Sequence, residues 1–327
     1  MDTSQFAGMQ LSRLMLGTVQ LGLPYGIANC TGQPSYQEAR NILACAYEGG
    51  VNCLDTAAIY GTSEEVLGRA LAELRIADKM TIVSKVHYMA QGLAAATAAA
   101  IIEESVVQSL KRLRLETLPI CLFHIEENFS YAEALLRLRE RGLVRHIGSS
   151  VMTPAATSAI IDTGQAEALQ IPTSVLDRRF SHPGGGTPTP DAGVIQKAAE
   201  RGMAVFSRSI YLQGLLLMSE VDLPLELAEV LPVRRRLETL AAEAGMSLSE
   251  LAVRYVLSLE GVTCGVVGIE TEAQMRQNLA MFAKGPLDAE LRRAAEAAVP
   301  DLPDKILMPN QWSRRMADVK HQEKPQA

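Results

Sequence analysis

Long hydrophobic runs are absent. No apolar stretch reaches the ~18 residues that a membrane span needs, and the first residues lack the basic-then-apolar order of an export signal. Cysteine is scarce, and its five positions (Cys30, Cys45, Cys53, Cys121, Cys264) have no metal-ligand spacing. They read as reduced thiols of a cytoplasmic protein that holds no metal. Positive charge is not in excess: 31 Lys and Arg against 37 Asp and Glu give a formal charge of -6, without the footprint of a nucleic-acid binder. The one dense basic run, Arg234 to Arg236, opens an expected helix and reads as a solvated face. Aromatics make up only 5%, with a single Trp. No Gly-rich dinucleotide fingerprint follows the first expected strand, which argues against an open doubly wound nucleotide-binding sheet.

What is present is an alternation. Short apolar strands are expected at Leu14 to Gln20, Val51 to Leu54, Met80 to Lys85, Leu118 to Phe123, Val144 to Gly148, Ala168 to Ile171, Met203 to Ser207 and Val262 to Val267. Amphipathic helices fall between them. Ser35 caps the first, in which Ala39, Ile42, Leu43 and Ala46 form one stripe, and Gly49-Gly50 ends it. Later helices are expected at Glu64 to Leu74, Ala94 to Leu113, Tyr131 to Arg141, Pro154 to Asp162, Ala192 to Glu200, Arg234 to Ala244, Leu248 to Leu259 and Glu272 to Met281. One more, Asp288 to Ala297, precedes a polar tail from about residue 313. Strands alternating with helices imply parallel pairing and right-handed crossovers. Eight such units imply closure into one (β/α)8 TIM barrel, expected as a single domain over residues 1–327.

The strand ends carry chemistry. The second strand runs into Asp55, with Tyr60 five residues on; the third ends at Lys85 and the fourth at His124. Taken singly, Asp55 reads as a helix cap, Tyr60 as a rim aromatic, Lys85 as a surface cation and His124 as a core histidine. Barrel strands deliver their C-terminal ends to one mouth, so the four together make a candidate site. A carboxylate at a strand end with a phenol on the next loop suits proton transfer.

The motifs GTVQLG (Gly17 to Gly22), LDTAAIYG (Leu54 to Gly61), SK (Ser84-Lys85), LFH (Leu122 to His124), GLVRHIGSS (Gly142 to Ser150) and GIETEAQMRQN (Gly268 to Asn278) come in this order. Together they resemble the aldo-keto reductases. The resemblance implies reduction of an aldehyde or ketone by hydride transfer, with Asp55, Tyr60, Lys85 and His124 as the catalytic tetrad. In that tetrad Tyr60 would protonate the alkoxide, its phenol, ordinarily near ~10, strengthened by Lys85, which stabilises the phenolate. Asp55 would hold Lys85, and His124 would orient the carbonyl and donate to its oxygen. It implies NADP(H), or alternatively NAD(H), laid across the mouth against Gly17, Thr18 and Asp55. Ser150 and Gln170 would hold the carboxamide, with Val151 where an asparagine is usual, and Phe206 would stack on the ring. Ser207, Arg208, Ser209, Leu212 and Gly214 would cover the pyrophosphate. Gly268, Ile269 and Gln274 stand where many members bind the 2′-phosphate. Glu270 would repel that phosphate and suit a ribose hydroxyl, with Arg276 available to compensate; Gln277 and Asn278 match the adenine end.

Loops set specificity in a barrel. Expected at the mouth are Tyr25, Tyr88, Glu126, Asn128, Arg178, Arg179 and, from the tail, Trp312. The polar HIEEN and LDRR segments and the low aromatic content favour a hydroxylated, sugar-like carbonyl compound. The expected protein is a monomer or weak homo-oligomer without membrane or nucleic-acid partners. Two further readings stand: a sugar dehydrogenase running oxidatively, and a cofactor-sensing regulatory subunit with little turnover. A Schiff-base aldolase using Lys85 gives Asp55 and Tyr60 no role.

Overall fold

The computed structural model describes residues 1–29, 31–181 and 193–312. Its strands are β1 (Thr3–Phe6), β2 (Met9–Ser12), β3 (Leu14–Gly17), β4 (Cys53–Asp55), β5 (Thr81–Lys85), β6 (Leu118–Phe123), β7 (Val144–Ser150), β8 (Ala168–Pro172), β9 (Ala204–Arg208) and β10 (Cys264–Gly268). Strands β3 to β10 pair in parallel and in order, and β10 bonds to both β9 and β3. The sheet therefore closes into the expected (β/α)8 barrel.

Period-2 alternation sorts the strand side chains into two cores. Met15, Cys53, Val83, Ile120, Leu122, Ala168, Ala204, Phe206 and Cys264 point inward and pack as one cluster. Their neighbours Leu14, Leu16, Leu54, Ile82, Cys121, Phe123, Leu169 and Val205 point outward and pack under the helices. Strands buried on both faces explain the continuous apolar runs in the sequence. The stripe Ala39, Ile42, Leu43 and Ala46 of helix Tyr36–Glu48 is buried in that outer core, and Ser35 Oγ accepts from Glu38 N as its cap.

The N-terminal hairpin was not expected from the sequence. β1 and β2 are antiparallel, joined by Ala7 (φ 47) and Gly8 (φ 79), the left-handed pair that a two-residue turn needs. Phe6 and Leu11 from this hairpin complete the inward cluster and close the barrel at the N-terminal ends of its strands. The first barrel strand is shorter than expected, because the chain turns into helix Val19–Gly22 after Gly17. Most of the other strands extend one or two residues further, to Asp55, Ser150, Pro172, Arg208 and Gly268. The helix expected from Ala192 runs Val194–Glu200. Cys30, Gly184-Gly185-Gly186, Ala192 and the polar tail from 313 lie outside the described residues. Among the described residues no helix is long and apolar enough to cross a membrane.

Candidate active site

Asp55 and Lys85 end adjacent strands on the inward face, and each is within 4% of complete burial. Lys85 Nζ donates to Asp55 Oδ1 at 2.5 Å and to Thr56 O at 2.9 Å. Gln170 Nε2, reaching across from β8, donates to the same Asp55 oxygen at 2.7 Å. The Asp55 main chain is fixed separately, since Thr18 N and Thr18 Oγ1 both donate to Asp55 O, at 2.9 and 2.8 Å. Thr18 Oγ1 and Thr56 Oγ1 each bond Ser63 Oγ, so the loops after β3 and β4 are tied together.

Tyr60 brings its hydroxyl to 3.4 Å from Lys85 Nζ. Its turn is placed by close main-chain packing. A Cβ at Gly22 would lie 1.8 Å from Tyr60 O, and one at Gly61 (φ +53) would lie 2.3 Å from Gly22 O. Only glycine at both positions lets the chain come this close, which explains the two motif glycines. The Tyr60 and His124 rings meet edge-on, 5.6 Å apart, and Tyr88 lies 4.8 Å from His124 on its other side.

In the free protein burial, then the Asp55 carboxylate, raise the Tyr60 phenol well above its ordinary range, and the Arg208 guanidinium opposes them. Asp55 balances the Lys85 charge at short range, so the phenol stays neutral in the free protein. Burial also lowers the Lys85 ammonium, with Asp55 resisting. Burial, aided by Lys85, Arg208 and His87, pushes His124 down to about 2, so its imidazole is neutral. A neutral imidazole donates from one nitrogen only, and His124 Nδ1 is buried without a partner.

A cleft of about 210 Å³ runs from Tyr60, Asp55, Gln170 and Arg208 to Gly17, Gln20, Gly268 and Glu270, walled by Tyr25, Ser209 and Gly214. A Cβ at Gly268 would fall 2.4 Å from the Gln20 amide, so glycine keeps that end open. Gln20 Oε1 is buried with no partner on this wall, an acceptor set for a ligand's donor. Ser209 (φ 64), Leu212 (φ 48) and Gln213 (φ 54) hold left-handed backbone, costing ~1 kcal/mol or more each. The bonds Leu212 N to Ser209 O (2.8 Å) and Gly214 N to Tyr211 O (2.9 Å) brace this strained wall.

The sequence profile described as the Aldo/keto reductase family matches residues 13–299. The chain belongs to the aldo-keto reductase family. It is 25% identical over 292 residues to the Bacillus subtilis uncharacterized oxidoreductase YqkF, covering 83% of this chain and 87% of that one. It is also 25% identical over 293 residues to the Arabidopsis thaliana L-galactose dehydrogenase, covering 84% and 85%. The fold is shared with the holo form of aldo-keto reductase AKR11C1 from Bacillus halodurans (TM-score 0.73, 24% identity, 95% and 100% coverage). It is shared too with the glycerol dehydrogenase AKR11B4 from Gluconobacter oxydans (TM-score 0.72, 23% identity, 96% and 98% coverage).

Other positions inferred from the aldo-keto reductase resemblance have varied surroundings. Phe206 is wholly buried in the barrel interior among Met15, Cys53 and Cys264, two residues below the mouth. Arg208 holds the mouth position on the same face of β9. Ser207 faces the other way and donates to Thr173 O, and Leu212 buries its side chain in the outer core. Trp312 is 8% exposed with Nε1 donating to Lys305 O, and it is not among the residues lining the cleft. Arg178 clamps Glu296 O and Val299 O, and Arg179 pairs with Asp177 at 2.8 Å. Glu126 accepts from Met152 N and Thr153 N ahead of helix Pro154–Asp162, while Asn128 brackets Met89. The polar segments that suggested a sugar-like substrate are thus engaged in holding loops.

At the adenosine end Glu270 is partly buried and accepts from Thr31 Oγ1, and Gln274 Oε1 accepts from Glu270 N. Arg276 is committed to Glu272 at 2.5 Å and compensates nothing in the cleft. Asn278 bonds Gln274 O and meets the Tyr211 hydroxyl at 3.4 Å; Gln277 is exposed on the helix. Ser150 ends β7 level with Gln170. Sequence reading missed Gln20, whose only signal was its place one turn after the first strand.

Proposed function

We propose that this protein is an NAD(P)(H)-dependent carbonyl reductase in which Tyr60 donates the proton. The observation carrying this reading is the Tyr60 hydroxyl 3.4 Å from a buried ammonium, beside a neutral imidazole and open to a cleft. A nicotinamide, when bound, supplies the hydride. The glycine-lined wall and the orphan acceptor of Gln20 fit such a dinucleotide. As negative charge grows on the carbonyl oxygen, the neutral Tyr60 phenol gives up its proton, and the Lys85 ammonium stabilises the phenolate left behind. An alkoxide is more basic than a phenolate, so a phenol raised by burial remains a competent acid. His124, held neutral, donates one N–H toward the same oxygen. Gln170 and Asp55 keep Lys85 in place rather than exchanging protons themselves.

The cleft supports NAD(H) over NADP(H). Among the described residues of the lining, Glu270 is the one acidic side chain at the adenosine end and Arg208 the one cation. A 2′-phosphate there would meet a carboxylate without a compensating charge. Titrating the purified protein with NADH and NADPH in parallel, followed by carbonyl turnover with the tighter one, tests the reading. Tight binding with turnover is expected; no binding of either nucleotide would remove the hydride source and with it the reductase.

A further inference from the structure

Charge at the mouth does not balance. Lys85 is matched by Asp55 and Arg179 by Asp177, but Arg208 forms no ion pair among the described residues. Its Nη2 donates to Val151 O (3.0 Å) and Met152 Sδ (2.8 Å), and its Nη1 to Ser209 Oγ (3.3 Å). These neutral acceptors fix the plane of the guanidinium. They leave the Nε–H and one Nη1–H without partners among the described residues, on a side chain that lines the same cleft as Tyr60. Arginine cannot relieve such a situation by losing its proton. A planar, oriented guanidinium with free donors is a receptor for a carboxylate.

The place of this cation says which ligand it serves. Arg208 is anchored to Val151 and Met152 just past the end of β7, and stands in register with Pro172, two residues beyond the Gln170 that bonds Asp55; Glu270 follows β10 at the other end of the cleft. It therefore belongs to the end where the carbonyl reacts. Resting on the reductase reading, we propose that Arg208 is a specificity-determining residue that binds a carboxylate on the carbonyl substrate, while the carbonyl itself lies against Tyr60 and His124. The substrate class is then an oxo acid or aldehyde acid rather than a neutral carbonyl compound.

A matched pair of probes tests this: 4-carboxybenzaldehyde and 4-formylbenzamide, alike in size and different in charge. The full-length protein should favour the acid by about tenfold or more in kcat/KM, mostly through KM. Arg208→Met should collapse that ratio, and Arg208→Lys should restore part of it. Benzoate and benzamide titrations read the same selectivity without turnover, and benzoate should lose its advantage in Arg208→Met. Equal binding of the two, or Arg208→Met weakening NADH affinity while the acid preference persists, would overturn the proposal. Benzoate selectivity without turnover of either aldehyde would instead sink the reductase reading.

Discussion

Lys85 Nζ sits 2.5 Å from Asp55 Oδ1, with side chains 0% and 6% exposed, making this ion pair the most deeply buried one described. Such a pair is strongly protected against loss of one member, since the survivor is left as a bare charge in an apolar setting. Asp55→Leu should lower unfolding stability by about 3–5 kcal/mol, and Asp55→Leu with Lys85→Met should lose less than the sum of the single changes. Urea unfolding of the three variants checks this; strict additivity would mean that the pair is not coupled.

Tyr60→Phe removes the proposed acid and little else, because among the described residues the Lys85 contact is the one hydrogen bond its hydroxyl makes. Carbonyl reduction should fall by roughly 10²–10⁴, with nucleotide affinity unchanged. A variant that still turns over near the parent rate would take Tyr60 out of the chemistry.

His124 provides a pH signature of folding. Its folded value is about 2, against ~6.5 in an unfolded chain. Above pH ~6.5 neither state carries the proton and His124 imposes no penalty. Below that, the unfolded chain binds a proton that the folded one refuses, so stability falls by about 1.4 kcal/mol per pH unit from this residue until pH nears its folded value. Denaturation curves from pH 7 to 4.5 should show a slope one proton shallower in His124→Asn; parallel slopes would show that the ring is charged in the fold.

Glu270→Gln removes the carboxylate from the adenosine end while leaving an acceptor for Thr31. The NADPH-to-NADH affinity ratio should rise about tenfold, equivalent to ~1.4 kcal/mol. Fluorescence titration with both nucleotides reads it directly, and an unmoved ratio would mean that Glu270 does not face the 2′ position.

The barrel was legible because each of its strands is a short apolar run followed by turn residues, and the Asp55–Lys85–Tyr60–His124 cluster because barrel topology sends successive strand ends to one mouth. The hairpin was not: TSQF and MQLS carry too few apolar residues for a pattern, and only Phe6 and Leu11, packed across the barrel end, make them strands. Phe206 and Arg208 lie two apart on one face of β9, and residue type alone cannot say which of them reaches the rim, where Arg208 lines the cleft. Glu126, Asn128 and Arg178 advertise polarity in sequence but not their partners, which lie 26, 39 and about 120 residues away.

The hairpin that seals the lower end of the barrel makes the interior a blind well. Beneath Lys85 and Asp55 lie Met15, Cys53, Val83 and Leu122, and beneath them Phe6 and Leu11, an apolar plug between the reacting end and the hairpin. In the proposed cycle a Tyr60 phenolate regains its proton from above, through the opening that substrate and dinucleotide would themselves fill. Product departure and recharging of the acid share one doorway, so the ligand that occupies it also decides when the next turnover begins.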